Sequence, residues 1–152
     1  MTDRIELLQT LLDREQKRRD EAMSNLRAAH RNLEAQQQQA DGLTGYRSEY
    51  CAKWSSNFQQ AAQMEILRSY HGFLARLDQA ITQQQAVVAH AQRGVDSARQ
   101  GLLEREIRVA TVERLIKRRQ QSQARSAERR DQKNLDEMAQ RRVLPKELAG
   151  MA

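Results

Sequence analysis

The chain has 152 residues, of which 30% are charged and only six are aromatic, with a net charge of +6 and a mean hydropathy of −0.88. Too little apolar surface is present to enclose a globular core, and such a composition with helical periodicity reads as long helix. No run of about 18 apolar residues is available to span a membrane, the first residues lack an apolar signal-peptide core, and the lone Cys51 fits a cytoplasmic protein without disulfides.

A first helix is predicted from Asp3 to Trp54. Asp3 with Glu6 three residues on forms a capping-box pattern, and carboxylates suit a helix N-terminus. A heptad seam follows through Ile5, Leu8, Leu12, Glu15, Arg19, Ala22, Leu26, Ala29, Leu33, Gln36, Ala40, Leu43, Arg47 and Tyr50. Ten of these fourteen are apolar or aromatic, so one face is kept against a partner helix. Gly42 and Gly45 weaken the helix, by about 1 kcal/mol each. The preferred break is Ser55-Ser56-Asn57, whose side chains favour caps and turns, giving a hairpin loop over 55–62.

A second helix is predicted over 63–116. Every seventh residue from Leu67 is a branched aliphatic: Leu67, Leu74, Ile81, Val88, Val95, Leu102, Val109 and Ile116. The companion positions are Tyr70, Leu77, Gln84, Ala91, Ala98, Arg105 and Val112. The two seams have nearly equal length, so they are expected to pair within one chain as an antiparallel coiled coil. With a short loop, paired residue numbers should total roughly 113–117 at 1.5 Å rise per residue. Glu15 and Arg19 then fall opposite Ala91, Gly94, Ala98 and Gly101, where two readings stand: long polar stems cross small residues with their heads in water, or Gly94 and Gly101 are tolerated surface glycines.

All six aromatics, Tyr46, Tyr50, Trp54, Phe58, Tyr70 and Phe73, lie near the expected reversal. They are read as a clasp locking the tip, formed by Tyr50, Trp54, Phe58 and Tyr70. Phe73 is kept as a candidate for exposure and partner contact, because aromatics are enriched in interface hot spots.

Beyond Ile116 the seam fades. Residues 117–142 hold nine basic residues against four acidic ones, +5 of the chain's +6. The first helix has no length left to pair with them. A lone basic helix over 117–144 is therefore expected to project, with a thin apolar line of Ala124, Ala127, Leu135 and Met138. An isolated helix of roughly 25 residues is marginal in water and orders on a partner. Pro145 is expected to end it, with a disordered tail over 145–152.

Catalytic and ligand-binding patterns are missing from the sequence. There is no phosphate-binding G-x-x-x-x-G-K-[ST]. His30, His71 and His90 stand alone rather than at metal-ligand spacing, and Cys51 has no base beside it. Neither an enzyme nor a cofactor is expected.

Three segments resemble the FliJ family of the flagellar type III export apparatus. They are Leu43-Thr44-Gly45-Tyr46-Arg47-Ser48-Glu49-Tyr50, the stretch Tyr70-His71-Gly72-Phe73-Leu74-Ala75-Arg76-Leu77-Asp78-Gln79-Ala80-Ile81, and Asp131-Gln132-Lys133-Asn134-Leu135-Asp136-Glu137-Met138-Ala139-Gln140-Arg141. The resemblance implies an all-α antiparallel two-helix hairpin similar to the γ-type stalk of rotary ATPases. It implies three partners: the hexameric export ATPase, the membrane protein of the export gate, and export chaperones that the chain escorts. It further implies a cytoplasmic location, peripheral to the inner membrane at the flagellar base, with no membrane insertion and no nucleic acid.

Gate contact carries over to Phe73, Leu77 and Ala80, whereas Gln84 stands where the family pattern leads one to expect histidine. Ring contact is assigned to Arg118, Arg119, Arg125, Arg129, Gln132, Lys133, Leu135, Asp136 and Met138 of the basic helix. The isolated chain is expected to be an elongated monomer.

Other readings fit the same periodicity. The stalk of a virulence-type secretion system would share the geometry, and only the flagellar-like segments argue against it. A basic coiled-coil nucleic-acid binder would show steep salt dependence, but acidic residues interleave with the basic ones. A generic adaptor would form a tight coiled-coil dimer.

Overall fold

The computed structural model describes residues 2–58 and 64–150, with side chains described over 3–56 and 64–143. Helix α1 is Thr2–Phe58 and helix α2 is Met64–Gly150, 57 and 87 residues long, with no strand among the described residues. The helices pack against each other as a hairpin. Packing groups the chain into two units, one of residues 18–106 and one of residues 1–17 with 107–152.

The boundaries differ from expectation in three places. α1 begins at Thr2, with Asp3 in its first turn beside the positive end of the helix dipole. At its other end α1 continues through Ser55, Ser56 and Asn57 to Phe58. Serine and asparagine each cost well under about 1 kcal/mol against alanine in a helix, and Tyr50 and Trp54 anchor these last turns on α2. The rest of the expected loop, 59–62, and Gln63, the expected first residue of the second helix, lie outside the described residues. α2 continues through Pro145 to Gly150, where a tail was expected from 145. Proline removes the bond to the Arg141 carbonyl, but Leu144, Lys146, Glu147, Leu148 and Ala149 are all strong helix formers.

The seams are where the periodicity puts them. Every heptad position of both helices is buried or half-buried, and all eight buried residues belong to the seams: Glu15, Leu77, Gln84, Ala91, Val95, Val109, Val112 and Ile116. The pairing is offset from the expected register. Gln36 meets Gln84, and Arg47 meets Asp78, so paired numbers total 120 and 125 rather than 113–117. The longer α1 and the start of α2 at Met64 move the reversal later in the chain, and the register moves with it.

The polar seam residues are handled individually. The Gln84 amide donates from Nε2 to Gln36 Oε1 at 2.9 Å and to the Gln36 backbone carbonyl at 3.0 Å. A buried polar pair satisfied in this way costs little and fixes one alignment of the helices. Glu15 is buried, not lying with its head in water as expected, because a seam position carries its side chain inward when the seam closes. Arg19 does reach solvent, where its Nη2 pairs with Asp20 Oδ1 at 3.2 Å.

The glycines sit in ordinary helical backbone with no positive φ. A Cβ added at Gly42, Gly45, Gly72, Gly94 or Gly101 would meet nothing within 4 Å. No polar stem therefore crosses closely over Gly94 or Gly101, and the expected complementarity there is absent. Changing Gly42 and Gly45 together to alanine should stabilise the fold by about 1 kcal/mol each through reduced chain entropy. A raised urea midpoint at constant slope would show it.

Candidate functional site

Five aromatic rings gather within the 18–106 unit. Tyr46, Tyr50 and Trp54 recur at four-residue steps on α1, which places them on one face, and Tyr70 and Phe73 meet them from α2. Tyr50 is the centre. Its ring centroid lies 4.6 Å from Phe73, 5.5 Å from Tyr70, 6.0 Å from Trp54 and 6.2 Å from Tyr46. The stacked and tilted geometries are those that favour ring quadrupoles, each contributing about 0.5–1.5 kcal/mol beyond area burial. Tyr50, Trp54 and Tyr70, three of the four residues read as a clasp, are thus in mutual ring contact. The Phe58 side chain lies outside the described residues.

Phe73, expected to be exposed, is half-buried and packs its ring between Tyr50 and Tyr46, the latter at 6.3 Å edge-on. A ring beside the seam is long enough to reach across it, which a strict two-residue seam pattern does not anticipate. Tyr46 keeps half its surface in solvent. Of the other gate candidates, Ala80 is half-buried and Leu77 is buried at 7% exposure in the seam, leaving a partner almost nothing to touch.

Polar groups border the cluster. Arg47 grips Asp78 through two donors, Nε to Oδ1 and Nη2 to Oδ2 at 3.5 Å. This hydrogen bond and charge raise the Arg47 pKa, so the guanidinium stays charged at any ordinary pH. A hydrogen bond with Cys51, followed by burial, raises the Tyr70 pKa above the usual 10.0. Both groups have raised values, so any stability they add is complete near neutrality and is lost only on the alkaline side.

The basic helix presents a different surface. Side chains 117–143 of α2 are all exposed except Gln123, which is half-buried. The expected ring contacts Arg118, Arg119, Arg125, Arg129, Gln132, Lys133, Leu135, Asp136 and Met138 therefore all face solvent. Leu135, Met138 and Val143 are more than half exposed, at 66%, 62% and 53%.

The heptad seams do not account for every apolar side chain on the surface. Leu7, Leu11 and Leu115 are exposed and line a groove with Leu8, Arg4 and Arg119. The doubled leucines Leu7-Leu8 and Leu11-Leu12 were its sequence signal, because they widen the apolar stripe beyond one seam.

Among the described residues no cluster of histidine, cysteine and carboxylates is arranged to hold a metal, and no helix is long and apolar enough to cross a membrane. The model of the flagellar FliJ protein family matches residues 5–148. No curated protein matches the chain.

Proposed function

The chain belongs to the flagellar FliJ family, components of the flagellar export apparatus, and from that premise we propose that it is a coiled-coil stalk linking the hexameric export ATPase to the export gate. The basic helix seats in the ATPase ring and promotes its assembly or coupling. The aromatic end of the hairpin reaches the gate, and the chain also escorts export chaperones. It works at the cytoplasmic face of the inner membrane, as a monomer in isolation, without nucleic acid and without chemistry of its own.

The observation that carries this reading is the length of basic α2 left uncovered. Burying one face of such a helix in a ring lined by acidic or carbonyl groups would stabilise a helix that has little packing of its own. In the gate contact, Phe73 and Ala80 supply the surface, and Leu77, four residues after one and three before the other, is the buried seam residue between them.

Truncation after Ile116 tests the assignment. ATP hydrolysis by the purified export ATPase should rise with the full chain and stay at its basal rate with the truncated one. The hairpin's helical circular dichroism should survive per residue. Undiminished stimulation by the truncated chain would refute ring insertion by the basic helix.

A further inference from the structure

We propose that the leucine groove of the unit formed by residues 1–17 and 107–152 docks an acidic amphipathic helix from a partner protein. The groove has a volume of about 440 Å³ and takes Arg4, Leu7, Leu8 and Leu11 from α1 and Leu115 and Arg119 from α2. Arg4, Leu7, Leu8 and Leu11 follow three- and four-residue spacing, so they share one face of α1. Leu7 is 69% exposed, Leu11 38% and Leu115 41%. Ile107, 58% exposed, stands two four-residue steps before Leu115 on the same face of α2. Exposed leucines concentrated between two packed helices mark an interaction site, and a third helix is the shape that fits between two.

Charge selects the occupant. Both polar residues of the groove are arginines, and no carboxylate lines it. Among the described residues neither Arg4 nor Arg119 has an ion-pair partner. In an antiparallel pair the start of α1 lies beside the later part of α2, so both guanidiniums stand at one end of the groove. A helix with leucine-type anchors at i, i+4 and i+7 and carboxylates in the turn at one end would fill the groove and meet both charges. A second copy of this chain would bring two more arginines to a groove without carboxylates, which disfavours self-association. The proposal shares Arg119 with the ring assignment but rests on the groove itself, and its test is read without the ATPase or the gate.

The test uses the full chain and two designed fluorescent helical peptides with the same leucine face. One carries glutamates in the turn at one end, and the other carries lysines there. Fluorescence anisotropy should show saturable binding of the glutamate peptide and about tenfold or weaker binding of the lysine peptide. Arg4→Glu with Arg119→Glu should reverse that order. Leu7→Asp should remove binding and leave the melting temperature unchanged, because Leu7 is exposed. Equal affinity for both peptides, or an order that charge reversal leaves intact, would overturn the proposal. A sedimenting dimer dissolved by Leu7→Asp would overturn it too, by showing that a second copy covers the groove.

Discussion

Val95→Asp should be the most destabilising single substitution in the hairpin, at about 3–5 kcal/mol near neutral pH, the usual cost of an uncompensated buried charge. Val95 is 0% exposed, the only large side chain so completely enclosed among the described residues. Val95→Ala removes only two methyl groups and should cost about 1.6 kcal/mol at 0.8 kcal/mol per carbon. The difference between the variants is electrostatic and must depend on pH. Burial raises the folded-state pKa of the new carboxyl above about 3.9. The aspartate variant therefore loses stability as pH rises through that raised value, and the gap to Val95→Ala should narrow on acidification. Val87→Asp on the same helix is the control. Val87 is 42% exposed, so its carboxylate stays in water and the change should lie within about 0.5 kcal/mol. Urea denaturation of the three variants at two pH values checks all of this. Equal losses at 87 and 95 would show that the seam is not the core.

The seam was legible because helical periodicity is a property of many residues at once. Leu67 to Ile116 repeats without exception, and even the polar interruptions Glu15, Gln36 and Gln84 turned inward with their neighbours. Register was not legible, because it depends on where the chain turns. Three residues with modest turn preference, Ser55, Ser56 and Asn57, weighed more in sequence than the ring contacts of Tyr50 and Trp54 that keep α1 helical. The pair that specifies alignment, Gln84 on Gln36, lies in two glutamine runs, 36–39 and 83–85, and nothing in the sequence says which amides of the two runs pair. Side chains beside the seam were harder still. Phe73 and Leu7 both flank seam positions, yet Phe73 packs inward on an aromatic partner while Leu7 remains in solvent. Flanking position alone does not separate the two. What separates them is whether the opposite helix offers a ring to pack on.

Tyr50→Ala should cost about 2–3 kcal/mol, below the 3–5 typical of a fully buried ring because Tyr50 is only half-buried. One substitution removes four ring contacts, to Tyr46, Trp54, Tyr70 and Phe73. Tyr46→Ala removes two contacts from a residue already half in solvent and should cost roughly a third as much. Tyr50→Phe keeps the ring and should recover most of the loss. The effect should also be local, because opening free energies differ along a structure. Backbone hydrogen exchange should accelerate over the last turns of α1 and the first turns of α2, while amides flanking Val95 keep their protection. Uniform acceleration along both helices would mean that the cluster supports the whole hairpin and is not a local clasp. The same variant separates the two proposed partner surfaces. Phe73 would lose the ring behind it at 4.6 Å, so gate binding should weaken. Stimulation of the export ATPase should persist, because the four ring partners of Tyr50 all belong to the 18–106 unit and none to the basic helix after Ile116. Loss of both together would contradict a stalk whose two ends engage different partners.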